Sequence, residues 1–318
     1  MLTSDQNRKI NEIVEEFKEA ADFYRMEYSE DLMGMFRDFG CMLLLKCKVD
    51  TEGKADLERL LEGRHKLKGT VKRQLMTVSE ELAQLWAPGE QDGSGDTGEY
   101  EGSQNVREMF QTALEEIFHF CLYSKGGKNR YLLPEETAKP LLRLLTFPEG
   151  MMAGNEGLVV LDTQCGAGSA LMAASRYLKN LRLMGYEKDE EMWAAAVIMS
   201  QLSGLEMELH LEDGARADLY ESCDLVISNP VYGTDTIKDE ELIDQLPGEL
   251  KTVRGRYHME LIRSMQALNF DGKAMLIVPN SFLFANRTES MKVRKWLLQS
   301  YSLEAIISLP EDTFMYSG

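Results

Sequence analysis

Six short runs dominated by branched and aromatic residues, LVVLD, LRLMGYE, LEMELHLED, DLVISNP, KAMLIVPN and LEAIISLP, succeed one another between positions 158 and 310. Helix-forming or turn-forming stretches separate the first four. This alternation specifies an α/β fold with a parallel, doubly wound sheet, because parallel neighbours can be joined only through a crossover and a helix packed on the sheet makes one compactly. Ligands of such sheets bind beyond the carboxyl ends of the strands. In this chain those ends carry Asp162, Glu187, Asp213 and the pair Asn229–Pro230.

The first end reads LDTQCGAGSAL, 161–171. Asp162 closes a strand, Cys165 stands in the turn, and Gly166 and Gly168 open the next helix, where the absence of a Cβ lets backbone approach a ligand. Glu187 follows about twenty residues later, the place where a carboxylate takes two ribose hydroxyls in Rossmann-like units. Asp213 is positioned to accept from an adenine amine. The spacing D-x-x-x-G-x-G differs from the dinucleotide fingerprint, and an acidic pocket suits the positively charged sulfonium of S-adenosylmethionine better than a pyrophosphate. The fourth end, NPVYG, offers the side-chain oxygen of Asn229 and the carbonyl of Pro230 as two acceptors for one planar amine. Tyr232 offers a ring face for stacking.

Upstream, 3–86 reads as four helices. Ile10, Ile13, Val14, Phe17, Ala20, Ala21 and Tyr24 recur at helical spacing behind an N-cap at Thr3 or Ser4. A second set runs through Leu32, Met35, Phe36, Phe39, Met42 and Leu43; a third follows Asp56 on to Leu67; a fourth covers QLMTVSEELAQLW. Residues 87–104, rich in Gly, Asp, Glu and Ser, read as a mobile surface loop, and a fifth helix as roughly 106–122. The expected domains are therefore a helical one, 1–124, and the α/β one, 125–318.

The hydrophobic fraction of 44% is sufficient for a real core. No apolar run is long enough for a membrane span, and the N-terminus lacks the apolar stretch of a signal peptide, so the expected location is the cytoplasm. Five cysteines without CxxC spacing, and four unclustered histidines, argue against a disulfide framework or a zinc site. A net charge of −18 repels phosphate in bulk. A nucleic-acid partner then needs a local basic groove or a second subunit. Lys251, Arg254, Arg256 and Arg263, and then Arg287, Lys292, Arg294 and Lys295, are the clusters available to touch a phosphate backbone.

Taken together, these segments resemble the adenine-specific N-6 DNA methyltransferases, in particular the modification subunits of type I restriction systems, over about 125–318. LDTQCGAGSAL is similar to the family's D-P-x-C-G-S-G-G-F, NPVYG to N-P-P-F/Y, and RYLLPEETAKPLLRLL to the segment that leans on the methionine end of the cofactor. GKAMLIVPNSFLF and VRKWLLQSYSLEAIISLPEDTF resemble the segments that close the sheet. The resemblance implies a class I S-adenosylmethionine-dependent methyltransferase fold. It implies methyl transfer to the exocyclic amine of adenine and cofactor contacts from Leu133, Pro134, Asp162, Cys165, Gly166, Gly168, Glu187, Asp213 and Asn229. Asn229, Pro230 and Tyr232 would be the catalytic set, with DNA read by a separate specificity subunit in a larger oligomer. Val231 stands where the family has a second proline, Leu133 where it has threonine, and Ser169–Ala170 where it has Gly-Phe. The family's sheet continues into an antiparallel strand between the fifth and sixth. That strand is missing from this sequence, which leaves the last run without a neighbour. Protein glutamine methylation uses a similar Asn-Pro motif on a similar planar amine, and IVPNSFLF argues against it. The remaining alternative is an inactive methyltransferase scaffold acting as an interaction module.

Overall fold

The structure is a computed structural model and describes residues 2–50, 54–62, 67–86, 97–124, 132–145, 157–219, 222–230, 236–286, 288–310 and 313. The chain divides into two compact units, 1–128 with 197–205, and 129–196 with 206–318.

The first unit is helical. Helix α1 (Ser4–Glu27) starts at a capping box, with the Gln6 amide donating to Thr3 Oγ1 at 3.3 Å and the Thr3 amide donating to Gln6 Oε1 at 2.7 Å. The stripe from Ile10 to Tyr24 expected from spacing is its buried face. Helix α2 (Met33–Lys46) is buried on nearly all sides. Phe17 meets Phe39 edge-on at 5.0 Å, and Phe36 meets Phe118 at the same separation; burying each ring stabilises by roughly 1.5–3 kcal/mol relative to exposure. Gly40 of α2 leaves room for Ile198, whose Cδ1 would lie 2.4 Å from an added Cβ.

Helices α3 (Ala55–Glu62), α4 (Gly69–Ala83) and α5 (Thr97–Leu122) complete the unit. Helix α5 corrects the loop reading: 97–104 are helical, and 87–96 lie outside the described residues. The segment has no apolar periodicity to reveal a helix.

The second unit holds helix α6 (Glu135–Leu144) and then the α/β alternation. Its elements are β1 (Leu158–Asp162), α7 (Ser169–Tyr177), β2 (Leu181–Glu187), the first half of α8 (Glu190–Ser203), whose residues from Val197 on belong to the first unit, β3 (Met207–Leu211), β4 (Cys223–Ser228), α9 (Glu240–Asp244), α10 (Arg256–Gln266), β5 (Leu268–Leu276), α11 (Asn280–Phe284) and α12 (Thr288–Ser300). The strands are ordered β3-β2-β1-β4-β5, and every pairing is parallel. The order reverses between β1 and β4, which makes that seam the switch point where ligands of such sheets bind. The start of β1 is reached from both sides: the Val159 amide donates to Asp224 Oδ2 at 2.9 Å, and the Leu158 amide to the Asn180 carbonyl at 2.8 Å.

The sixth run, LEAIISLP, does not become a strand. Residues 302–310 carry no ladder, and Leu303, Ile306 and Ile307 are exposed. An extended segment joins a sheet through backbone hydrogen bonds, and 302–310 form no ladder; β5 meets the segment through side chains, Lys273 donating to Glu304. No helix among the described residues is long and apolar enough to cross a membrane.

Candidate active site

The tips of β1, β2 and β3 are joined by backbone and carboxylate contacts. Asp162, only 2% exposed, ends β1 and accepts the Gln164 amide at 3.0 Å. The turn then passes under β2: the Cys165 amide donates to the Tyr186 carbonyl at 2.9 Å. Gly166 and Gly168 take φ of 54° and 79°, left-handed values that side chains disfavour, and Gly168 caps α7. Glu187 at the tip of β2 grips this turn from the side. Its Oε2 accepts the Gly166 amide at 3.0 Å and its Oε1 the Asp189 amide at 2.7 Å. The Leu133 amide donates to Ser169 Oγ at 3.1 Å, so the Leu133–Pro134 segment, with Pro134 as N-cap of α6, meets the start of α7. Ser169, one of the departures from the family pattern, makes that contact.

Asp213 lies two residues past β3. Its Oδ1 accepts the Ala215 amide at 3.2 Å and its Oδ2 accepts from Arg256 Nη1 at 3.1 Å. Gly214 beside it has no space for a side chain: an added Cβ would sit 2.3 Å from the Thr163 carbonyl oxygen and 2.9 Å from Tyr186 Cβ. The β3 tip is thus pressed against the β1 tip.

Asn229 and Pro230 follow β4, the other neighbour of β1; Asn229 is half-buried and Pro230 buried. The Ser228 carbonyl accepts the Ile277 amide at 2.9 Å, which fixes the entry to this turn from β5. Tyr232 and Val231 lie outside the described residues.

The electrostatics favour a cationic ligand. Burial raises the Asp162 carboxyl to about 7, against the Gln164 amide that lowers it and with Glu187 adding to the rise. Burial likewise raises Glu187, with the Asp189 and Gly166 amides opposing. Beside them the amide of Gln164 is buried with neither its nitrogen nor its oxygen partnered among the described residues. Buried carboxyls pushed upward, an orphaned amide and a glycine turn fit a group that carries positive charge and polar edges. Burial pushes the thiol of Cys165 well above the usual range, and its Sγ donates to the Gly166 carbonyl at 3.7 Å.

A cluster that sequence reading did not find borders the same tips. Glu260 of α10 is buried and accepts from Arg256 Nη1 at 3.2 Å, with Lys188 Nζ at 3.9 Å. Burial lifts its carboxyl to about 7, against the pull of Lys188 and Arg256. The i,i+4 spacing of Arg256 and Glu260 carried the signal.

The basic residues that the sequence offers for a phosphate backbone are also engaged within the chain. Arg263 is buried and donates to the carbonyls of Ala215 and Ala217 at 3.0 and 2.8 Å. Arg254 donates to the carbonyls of Lys251 and Val253, and Arg294 to those of Phe282 and Ala285. Lys251 pairs with Asp244 at 3.3 Å and Lys295 with Glu249 at 3.5 Å, while Lys292 donates to Thr252 Oγ1. Each of these cations has an internal partner; Arg287 lies outside the described residues.

The model of the N-6 DNA Methylase family matches residues 107–318. The chain is 24% identical over 284 residues to the type I restriction enzyme MjaVII methylase subunit of Methanocaldococcus jannaschii, covering 81% of this chain and 44% of that protein. It is 27% identical over 179 residues to the type II restriction enzyme and methyltransferase RM.BcgI of Heyndrickxia coagulans, covering 50% of this chain and 26% of that protein. The chain thus spans less than half the length of these curated relatives. Among solved structures, a class I S-adenosylmethionine-dependent methyltransferase from Listeria monocytogenes aligns over 97% of this chain and 84% of its own, with a TM-score of 0.64 at 18% identity. The type I restriction-modification methyltransferase subunit from Streptococcus thermophilus aligns over 91% of this chain and 79% of its own, with a TM-score of 0.55 at 16% identity. At these identities the two structures speak for the fold alone, and that fold is the class I methyltransferase sheet.

Proposed function

From the premise that this chain belongs to the N-6 DNA methylase family, we propose that it binds S-adenosylmethionine at the tips of β1, β2 and β3 and methylates the exocyclic amine of adenine in DNA, as a restriction-modification enzyme. The observation that carries the reading is the hydrogen-bonded unit of Gly166 and Glu187 next to buried Asp162, on the strand whose other neighbour ends in Asn229–Pro230.

Asp162, Glu187 and the 165–168 turn would hold the cofactor, with Leu133 and Pro134 beside the start of α7 and Asp213 toward the adenine. When bound, S-adenosylmethionine supplies a methyl group on a sulfonium leaving group. The chain's own residues then position the acceptor. Asn229 Oδ1 and the Pro230 carbonyl accept the two amine hydrogens, leaving the nitrogen lone pair directed at the incoming carbon, and Tyr232 stacks on the ring. DNA selection belongs to a separate specificity subunit, in keeping with the net charge of −18 and the internally paired cations. Incubated with methyl-labelled cofactor, unmethylated genomic DNA and the specificity partner, the protein deposits label as N6-methyladenine. Label appearing on a protein glutamine instead would overturn the substrate assignment.

The Asp162 carboxyl gives a pH signature. Its value rises from 3.8 to about 7 in the folded protein. The free protein therefore holds a proton that the unfolded chain has released, and its stability falls as pH rises between these values. A cationic ligand favours the ionised form. Affinity for S-adenosylmethionine is therefore expected to rise by up to about tenfold from pH 6 to pH 8, with proton release below pH 7 measured by calorimetry in buffers of different ionisation enthalpy. Equal affinity at both pH values removes Asp162 from the cationic end of the site.

A further inference from the structure

One stripe of α10 reaches all three strand tips proposed to hold the cofactor. Arg256, Glu260 and Ser264 follow one another at four-residue spacing, on one face of the helix. Arg256 Nη1 donates to Asp213 Oδ2, beyond β3, at 3.1 Å. Glu260 Oε1 lies 3.9 Å from Nζ of Lys188, the residue after β2. The hydroxyl of Ser264 is hydrogen-bonded to that of Thr163, the residue after β1. Strands β3, β2 and β1 are consecutive in the sheet, so each step of four residues meets the next strand. Such a step advances about 6 Å along a helix, close to the roughly 4.8 Å between neighbouring strands.

The stripe is also joined along its length. Arg256 Nη1 donates to Glu260 Oε1 at 3.2 Å, and Ser264 Oγ donates to the Glu260 carbonyl at 2.8 Å. Glu260 is buried, so the guanidinium rests on a carboxylate that packing holds in place. A planar guanidinium set between two carboxylates has a defined orientation. Asp213 is in turn held at both oxygens, Oδ1 by the Ala215 amide at 3.2 Å and Oδ2 by Arg256. Each of these oxygens keeps a further lone pair. A second arginine, Arg216, stands 3.8 Å from Asp213 Oδ2, but its nearer partner is Asp239 at 2.9 Å.

We propose that Arg256 is a positioning residue that sets which purine the cofactor site accepts: seated on Glu260, it turns the Asp213 carboxylate to receive the 6-amino group of the adenine ring. A carboxylate held there accepts a hydrogen from an amine and repels a 6-oxo oxygen. Freed of Arg256, Asp213 keeps only the Ala215 amide and is free to turn away from the ligand. Arg256 thus acts through Asp213 rather than on the cofactor. The inference rests on the reading of Asp213 as the adenine acceptor; the contacts of α10 with the tips do not.

Calorimetry with two ligands tests it: S-adenosylhomocysteine and S-inosylhomocysteine, which differ only in an amine or an oxo group at the purine 6-position. The parent protein is expected to prefer the amine by about thirtyfold or more. In Arg256→Gln, S-adenosylhomocysteine weakens by about tenfold while the 6-oxo compound stays within about threefold, so the preference shrinks. Arg256→Lys keeps the charge but not the planar fork. It loses about threefold of the preference, and carries the test if the glutamine variant does not fold. Arg216→Gln leaves the preference as in the parent. Asp213→Ala abolishes it, and Arg256→Gln added to Asp213→Ala lowers it no further. Equal weakening of both ligands in Arg256→Gln means that the arginine only supports the fold, and overturns the proposal. A lost preference in Asp213→Ala beside an intact one in Arg256→Gln overturns the role of Arg256 alone. A parental preference in Asp213→Ala strikes the reading of Asp213, and the proposal falls with it.

Discussion

Asn229→Ala is expected to retain S-adenosylmethionine affinity within about threefold and to lose methyl transfer by at least about a thousandfold, the scale reached when a preorganised polar contact to the reacting group is removed from a dry site. Asn229 is half-buried just after β4, and the ring of the proline after it fixes φ, which restricts where the second acceptor carbonyl can point. These two acceptors together define where an amine nitrogen can sit. With only one, the amine rotates and its lone pair is no longer aimed. In the proposed site the cofactor would be held from other strands, by the turn after β1 and by the Glu187 that grips it, so binding is expected to be left almost intact. Equal loss of binding and transfer would show that Asn229 supports the cofactor site itself. Asn229→Asp sharpens the test, since it keeps the acceptor but adds charge beside the acceptor amine.

Glu187→Ala is expected to weaken S-adenosylmethionine binding by about 1–3 kcal/mol, or roughly five- to 150-fold, measured by calorimetry. Two effects combine. On the proposed reading the ribose would lose an acceptor, and the Gly166 and Asp189 amides lose the carboxylate they share, which loosens a turn held at left-handed φ. Glu187→Gln separates them: it retains one oxygen for an amide but offers an –NH2 where a second acceptor stood. A loss in the glutamine variant close to that in alanine assigns the effect to the ribose. A variant with parental affinity places the ribose elsewhere.

The fold was legible to different depths along the chain. Strands β1 to β4 carry apolar runs closed by an acid or an Asn-Pro pair, and their parallel pairing follows from that local pattern, whereas β5 begins at Leu268, five residues ahead of the run KAMLIVPN, and ends at Leu276. The run LEAIISLP has the same composition, yet 302–310 stay off the sheet, because composition records the tendency to extend but not the presence of a neighbour. The start of α5 was hidden for the opposite reason: acids and glycines at 97–104 show no apolar face.

Within the site, the acids at the strand tips could be read from order alone, and the structure brings Gly166 and Glu187 together across 21 positions. The grip of Arg256 on Asp213 spans 43 positions, and that of Glu289 on Arg254 spans 35. No periodicity couples residues that far apart, so an arginine that looks like a DNA contact in the sequence turns out to neutralise the chain's own acids.

That internal use of cations sets how the protein can meet a polyanion. Affinity for a duplex comes largely from the small ions it sheds when fixed positive charges replace them. Lys251, Arg256 and Lys295 already face carboxylates of their own chain, so each must exchange one anion for another, with little gained. On the proposed reading, the ionic-strength dependence of a complex with DNA is then expected to come mostly from an accompanying polypeptide, with this chain supplying the chemistry.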